Sequence, residues 1–143
     1  MADVARAGVT HIIDMQLEFD DRPLAEPFGV KVLWNPIDVD FLLKPAEVFV
    51  QGVGFARTAL DETGSKILIH CAAGVHRAPM MALALLCNLG WTIPDAVALI
   101  ESRRPVVDFP AVYVDSVRNF LAQQGNSAAP ARAARASFAP EMG

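Results

Sequence analysis

The stretch HCAAGVHRAP, residues 70–79, joins the apolar run KILI, residues 66–69, to a second apolar run that begins at Met80. The first run is typical of a short strand in the middle of a sheet covered on both faces. The second is apolar nearly all round, which predicts a buried helix ended by Gly90. The stretch is therefore expected to form a loop from the carboxyl end of a central strand into a helix, where Pro79 is tolerated in the first turn.

Strands and helices alternate on either side of this loop. Helices are predicted over residues 2–7, from Pro45 to Thr63-Gly64, over 92–102 and over 110–124, and strands over 9–13 and 30–34. Residues 14–28, with five acidic residues and two prolines, predict a loop, and Asn35-Pro36 predicts the end of the second strand. The alternation predicts an α/β fold with a central, mostly parallel sheet flanked by helices, in which ligands bind beyond the carboxyl ends of the strands.

Length and composition indicate a single domain. A chain of 143 residues with 53% hydrophobic content can bury one substantial core. We expect this domain to cover residues 1–124, followed by a disordered alanine- and proline-rich tail over residues 125–143. No run of 18 apolar residues and no signal-peptide pattern occurs, so the sequence predicts a cytoplasmic protein without a membrane segment. It gives no indication of the oligomeric state.

The charge of the chain limits its ligands. A formal net charge of −4 makes a broad nucleic-acid surface unfavourable, so no nucleic-acid partner is expected. A small local anion site remains compatible with that charge. Any affinity for anions should therefore be confined to one pocket.

The loop itself has the composition of such an anion site. Small residues and a glycine let the backbone curl so that successive N–H groups converge, and the helix dipole adds partial positive charge at the same place. Arg77 can hold two phosphate oxygens at once. Cys71, in the same field, is expected to exist largely as a thiolate and to act as a nucleophile toward bound phosphate. The residues predicted to surround the phosphate are Ala72, Ala73, Gly74, Val75, His76 and Arg77.

These residues resemble the HCxxGxxR signature of the cysteine-dependent protein tyrosine phosphatases, and the layout is similar to the small dual-specificity branch. His70, Cys71, Gly74 and Arg77 match, over a resemblance that spans roughly residues 3–122. It implies a phosphatase-like fold and hydrolysis of a phosphorylated protein or small phosphomonoester through a phosphocysteine. The resemblance implies no metal and no other cofactor, and it implies that His70 supports the loop through hydrogen bonds.

The resemblance also implies an aspartate about thirty residues before the cysteine that gives a proton to the leaving oxygen. Asp40 and Asp38 both lie near that distance from Cys71. The spacing favours Asp40, whereas counting from Pro36 leaves Asp38 open. One of these two aspartates is the expected general acid.

Ala78 departs from the family pattern, which has serine or threonine after the arginine. The missing hydroxyl would hydrogen-bond to the sulfur as it leaves, so slow breakdown of the phosphoenzyme is expected. A catalytically weak or inactive pseudophosphatase that binds phosphorylated partners is therefore the alternative. Sulfur transfer by a rhodanese-like loop fits less well, because of the six-position interval between Cys71 and Arg77.

Other residues near the signature have simpler interpretations. Cys87 lies in the apolar helix and is predicted to pack in the core. Arg103 and Arg104 are expected to complement a helix dipole rather than to bind substrate. His76 either faces the rim of the pocket or is solvated.

Overall fold

The computed structural model describes residues 1–125. The predicted tail, apart from Gly125, lies outside the described residues. The helices are α1 (Ala2–Arg6), α2 (Arg22–Ala25), α3 (Ala46–Leu60), α4 (Arg77–Asn88), α5 (Ile93–Arg103) and α6 (Ala111–Gln124), with a 3-10 turn over Glu26–Phe28. The strands are β1 (His11–Gln16), β2 (Lys31–Ile37) and β3 (Ile67–His70).

The three strands form one parallel sheet in the order β2-β1-β3, which confirms the α/β prediction. The expected position of the strand before the signature is wrong, because β3 pairs only with β1 among residues 1–125 and so lies at an edge of the described sheet. The middle strand is β1, where His11 to Met15 are all buried, whereas every residue of β3 is partly exposed. Both segments are apolar, so their composition alone could not show which of them occupies the middle of the sheet.

Two predicted boundaries are also wrong, because β1 and β2 continue through residues assigned to loop or strand end. A carboxylate fits inside β1 because both oxygens of Asp14 accept backbone N–H groups, those of Gln16 and Asp21, each at 3.0 Å. Pro36 fits in β2 because β2 is an edge strand and the register with β1 slips between Asp14 and Gln16. The predicted 14–28 loop also contains α2.

The predicted buried helix after the signature is confirmed as α4. Met80, Met81, Leu83 and Leu86 are fully or almost fully buried there, and α4 packs against α3, α5, α6 and β3. The first residue of this helix is Arg77. The signature loop is thus anchored at one end by the sheet and at the other by the most buried helix.

The parallel arrangement also decides which loops meet. The segments that follow β1, β2 and β3 all leave the sheet at its carboxyl edge, because parallel strands end on the same side. Residues 17–21, 38–45 and 71–76 therefore surround one site. Within residues 1–125, no helix is both long and apolar enough to cross a bilayer.

Candidate active site

Cys71 lies directly after β3 with 2% of its surface exposed. Its Sγ accepts hydrogen bonds from the backbone N–H groups of Gly74, at 3.2 Å, and Ala78, at 3.4 Å. Gly74 has φ +69, the left-handed conformation that lets the loop turn back over the sulfur. Because α4 begins at Arg77, the dipole of a 12-residue helix points at the same place. Each of these features stabilises negative charge on the sulfur or on a bound anion.

Arg77 is buried, with 4% exposed, and most of its N–H groups are already used. Nη1 donates to Glu18 Oε1 at 2.7 Å and to the carbonyl of Ile37 at 3.0 Å, and Nη2 donates to Glu18 Oε2 at 3.0 Å. The Nε atom is buried and has no partner among residues 1–125. A guanidinium has five N–H groups in a fixed plane, so Nε–H and the second Nη2–H remain, side by side on one edge. That edge is a fork for two oxygens of a tetrahedral anion.

Glu18 holds this arginine from the opposite edge. The hydrogen bond from Arg77 lowers the pKa of Glu18 to about 2, and the same contact raises the pKa of Arg77. Glu18 was not predicted from the sequence. It is one of five acidic residues between residues 14 and 28, and nothing in that run distinguishes it before the chain is folded.

The two candidate acids face different groups. The carboxylate of Asp40 accepts from Lys44 Nζ and, at 3.1 Å, from the N–H of Leu42, and the Lys44 hydrogen bond lowers the pKa of Asp40. The negative charge of Asp38 is one of the smaller contributions that raise the pKa of Arg77, after those of Glu18 and Cys71. The Asp40 carboxylate is thus paired with a lysine, whereas Asp38 Oδ1 accepts the Val39 N–H at 2.9 Å.

His70 ends β3 and belongs to a buried polar cluster. Its Nε2 contacts the carboxylate of Asp21 and lies 3.8 Å from Asp14 Oδ1. Ligand atoms of these three residues lie within 4.8 Å of one another, a spacing that a metal ion could use. Hydrogen bonds already account for the cluster, since Asp14 accepts two backbone N–H groups and Asp21 pairs with His70. The cluster ties the start of the signature to the segment that carries Glu18.

Two residues after α5 hold the outer side of the signature loop. Arg104 donates from Nε to the carbonyl of Gly74 at 3.1 Å and from Nη2 to that of Ala73 at 3.3 Å. The Asp108 N–H donates to the carbonyl of Val75 at 2.9 Å. Arg104 therefore holds the loop, a role that the dipole interpretation did not include. A Cβ at Gly74 would lie 2.5 Å from Arg104 Nη2, so the arginine packs directly on the glycine.

The His76 side chain is 24% exposed and contacts residues of other segments. Its Nε2 lies 3.0 Å from Asp108 Oδ2, and its ring contacts the aromatic rings of Phe41 and Tyr113. Cys87 is partly buried among apolar side chains, and this burial raises the pKa of its thiol to about 11. Both cysteines of the chain are free thiols.

A buried thiol that accepts two backbone N–H groups, on the same loop as an arginine with one open edge, is an arrangement suited to a tetrahedral anion. Comparison with known proteins agrees with this interpretation. The family model "Dual specificity phosphatase, catalytic domain" matches residues 2–122, and the chain belongs to this family. The resemblance to the small dual-specificity branch of the cysteine-dependent protein tyrosine phosphatases is thereby confirmed.

The individual proteins that resemble this chain share less than a third of its residues. Protein tyrosine phosphatase type IVA 3 of Bos taurus is 29% identical over 104 residues, which cover 71% of this chain and 59% of that protein. The crystal structure of human DUSP28 superposes with a TM-score of 0.74 at 22% identity, covering 88% of this chain and 87% of that one. PTPMT1, in a crystal structure of its complex with PI(5)P, has a TM-score of 0.74 at 20% identity, covering 84% and 81%. The match to the type IVA 3 relative thus spans less than two thirds of its length, and the two structures share the fold.

Proposed function

We propose that this chain hydrolyses phosphomonoesters, with Cys71 as the nucleophile. Membership of the dual specificity phosphatase family supports a protein phosphatase of the tyrosine phosphatase superfamily. The observation that carries the proposal is the open edge of Arg77, where the buried Nε has no hydrogen-bond partner among the described residues and Nη2, which donates once to Glu18, keeps a second N–H. Two oxygens of a phosphate group would satisfy both donors.

The reaction divides into two displacements at phosphorus. In the first, the Cys71 thiolate forms an S–P bond, the P–O bond to the leaving group breaks, and a protonated aspartic acid gives its proton to the leaving oxygen. In the second, water attacks phosphorus, the S–P bond breaks to restore the thiolate, and the aspartate takes a proton from that water. Throughout, Arg77 and the loop amides of residues 72–77 hold the three non-bridging oxygens.

We assign the general acid to Asp38 rather than to Asp40. In the described conformation Asp40 is held ionised by Lys44, which lowers its pKa, and an acid must carry a proton when the leaving group departs. Among residues 1–125, no cationic side chain pairs with Asp38, whose Oδ1 accepts the Val39 N–H at 2.9 Å and whose charge contributes to raising the pKa of Arg77. The assignment reverses the order that spacing favoured.

We further propose a phosphorylated protein as substrate, with phosphotyrosine ahead of phosphoserine or phosphothreonine, in the cytoplasm. The PI(5)P complex of PTPMT1 shows a lipid headgroup bound to a protein of the same fold. Two basic side chains near the present site already face carboxylates, Lys44 that of Asp40 and His76 that of Asp108, which favours a substrate with a single phosphate. Free thiols at both cysteines suit a reducing compartment.

A second function, binding of phosphorylated partners with weak or no turnover, is favoured by Ala78. Its N–H donates to Cys71 Sγ, but the residue has no hydroxyl to stabilise the sulfur when the S–P bond breaks. The first displacement would then proceed and the second would be slow. Under that alternative, the protein spends most of its time as a phosphoenzyme or a phosphate complex.

Hydrolysis of para-nitrophenyl phosphate by the intact chain and by Cys71→Ser, with a chelator and a reducing agent present, tests the proposal. We expect turnover that disappears in Cys71→Ser. Equal activity of the two proteins would overturn it. Binding of vanadate by the intact chain without turnover would support the pseudophosphatase alternative instead.

A further inference from the structure

The outer edge of β3 carries backbone groups that no strand within residues 1–125 pairs with, because β3 pairs only with β1. In a parallel pair, alternate residues of a strand direct both their N–H and their C=O toward the partner strand. The carbonyl of Lys66, directly before β3, accepts the His11 N–H of β1 at 3.2 Å, so Lys66 faces β1. By alternation Leu68 also faces β1, whereas the N–H and C=O groups of Ile67 and Ile69 point away from the sheet. These four groups are the β3 edge.

The opposite edge of the sheet is protected against further pairing, whereas the β3 edge is not. β2 contains Pro36, and its register with β1 slips between Asp14 and Gln16. Proline and an irregular register both hinder the addition of another strand. β3 keeps a regular register with β1 along Ile67–His70, and each of these residues is partly exposed. Its β-branched isoleucines favour strand pairing, so the β3 edge is suited to receive another strand.

The β3 edge is complementary to a second copy of itself in the antiparallel direction. A two-fold axis through Leu68 pairs Ile67 of each copy with Ile69 of the other. Each such pair exchanges two N–H···O bonds, so the resulting four hydrogen bonds use every N–H and C=O group of both edges. The two Leu68 residues lie opposite each other on the axis. The symmetry of this pairing is that of the commonest homodimers.

Charged groups at the two ends of β3 also complement each other in this register. Lys66 and His70 share one face of the sheet, because side chains alternate along a strand. The antiparallel pairing places Lys66 of each copy opposite His70 of the other. Lys66 is exposed, and the His70 ring lies beside the carboxylates of Asp14 and Asp21. A cation of each copy therefore approaches two carboxylates of the other, which favours this register.

We propose that the β3 edge is the interface of a homodimer, in which two copies pair antiparallel and form one six-stranded sheet. Because the pairing is antiparallel, the carboxyl edges of the two halves point in opposite directions and both candidate sites stay open. β3 leads directly into Cys71, so the interface also holds the strand from which the signature loop starts. This inference does not depend on the proposed function.

Analytical ultracentrifugation of the intact chain, with a reducing agent present, tests for the dimer. The concentration runs from about 10 μM to about 1 mM, the range in which unpaired strand edges associate. We expect the weight-average mass to rise from the 15.4 kDa of one chain toward twice that value. A mass that stays at that of one chain over the whole range would overturn the proposal. So would a mass that rises past two chains without a plateau.

A disulfide on the axis tests the register of the pairing. In a Cys71→Ser, Cys87→Ala background, Leu68→Cys is compared with Val32→Cys. Leu68 and Val32 are the register partners of Ile12 on the two sides of β1, and both are partly buried, so they form a matched pair. Directly opposed residues of a non-hydrogen-bonded antiparallel pair lie within disulfide distance. With oxidised glutathione, we expect a covalent dimer of Leu68→Cys and none of Val32→Cys. Equal crosslinking of the two variants would contradict this interface.

Amide hydrogen exchange of the unsubstituted chain, followed by NMR, tests the same interface without a substitution. We expect exchange at Ile67 and Ile69 to slow about tenfold once about nine-tenths of the chain is dimeric. The Val32 amide is the control, because the Lys31 N–H donates to the Thr10 carbonyl at 3.0 Å and Val32 therefore points away from β1. Its exchange should not depend on concentration. A dimer that leaves exchange at Ile67 and Ile69 unchanged would overturn the proposal.

Discussion

At the scale of single residues, most hydrogen-bond donors of the central arginine already have acceptors within the protein. Arg77 has three of its five N–H groups on Glu18 and Ile37, and the remaining two are those we propose for the phosphate. Cys71 and Arg77 could be predicted from the sequence because both belong to one short loop. Glu18 could not, because its contact with Arg77 joins residues 59 positions apart in the chain.

The choice between the two aspartates can be tested by substitution. We expect Asp38→Asn to lower kcat/KM for phenyl phosphate about 100-fold or more, since phenolate is a poor leaving group without a proton. This ratio reports the first displacement even when the second limits kcat. Asp40→Asn should change kcat/KM less than about threefold, a small effect for a group outside the reaction. The matched pair of kcat/KM values decides the assignment. The opposite order would place Asp40 in the reaction and require the loop after β2 to move.

Ala78 controls the second displacement in this account. We expect Ala78→Ser to raise kcat about 10- to 1000-fold, because the new hydroxyl can donate to the leaving sulfur. Steady-state hydrolysis with a saturating aryl phosphate measures the change. If kcat stays the same while phosphoenzyme does not accumulate, the second step is not limiting.

Glu18 should support activity by positioning Arg77 rather than by transferring a proton. Its pKa is lowered from 4.5 to about 2. The ion pair with Arg77 is therefore fully formed at pH values above 4.5 and is lost only as the pH falls through about 2. We expect Glu18→Gln to lower kcat/KM about 10- to 100-fold by misplacing the guanidinium. This loss should be equal at pH 5 and pH 7, which two pH–rate profiles would compare. A loss that depends on pH in this range would contradict an ion pair of this kind.

At the scale of elements, the helices fix the site by packing. Phe49 of α3 is fully buried and lies 5.5 Å from the ring of Phe120 of α6, whereas the adjacent Val50 is half exposed. We expect Phe49→Ala to lower the free energy of unfolding by about 3–5 kcal/mol. Val50→Ala should change it by no more than about 0.5 kcal/mol. Denaturant titrations of the two variants measure both, and a comparable loss in Val50→Ala would contradict the packing.

The helical stripe of α3 and the apolar run of α4 are regular repeats, so the sequence predicted these elements well. The ends of β1 and β2 were less predictable. Asp14 fits inside β1 because its carboxylate accepts the N–H groups of Gln16 and Asp21, and Pro36 fits inside β2 because the register with β1 slips. Neither feature can be read from the sequence before the strands are paired.

At the scale of the whole molecule, a three-stranded parallel sheet brings three loops to one edge. The class of fold followed from the alternation of elements, but the strand order did not, since β1 and β3 are similar short apolar runs. The convergence of loops explains why Glu18 and Asp108, which are distant in the chain, both contact the loop that begins at Cys71. Function therefore depends on tertiary contacts around a local motif that the sequence reveals.

The central claim is that Cys71 receives the phosphoryl group. The most direct measurement is mass spectrometry of the protein after brief reaction with phenyl phosphate and an acid quench, with fragmentation to locate the phosphate. The account predicts phosphate on Cys71, no phosphate on Cys87, and accumulation that falls in Ala78→Ser. Phosphate on another residue, or phenol release by Cys71→Ser at the rate of the intact chain, would contradict it.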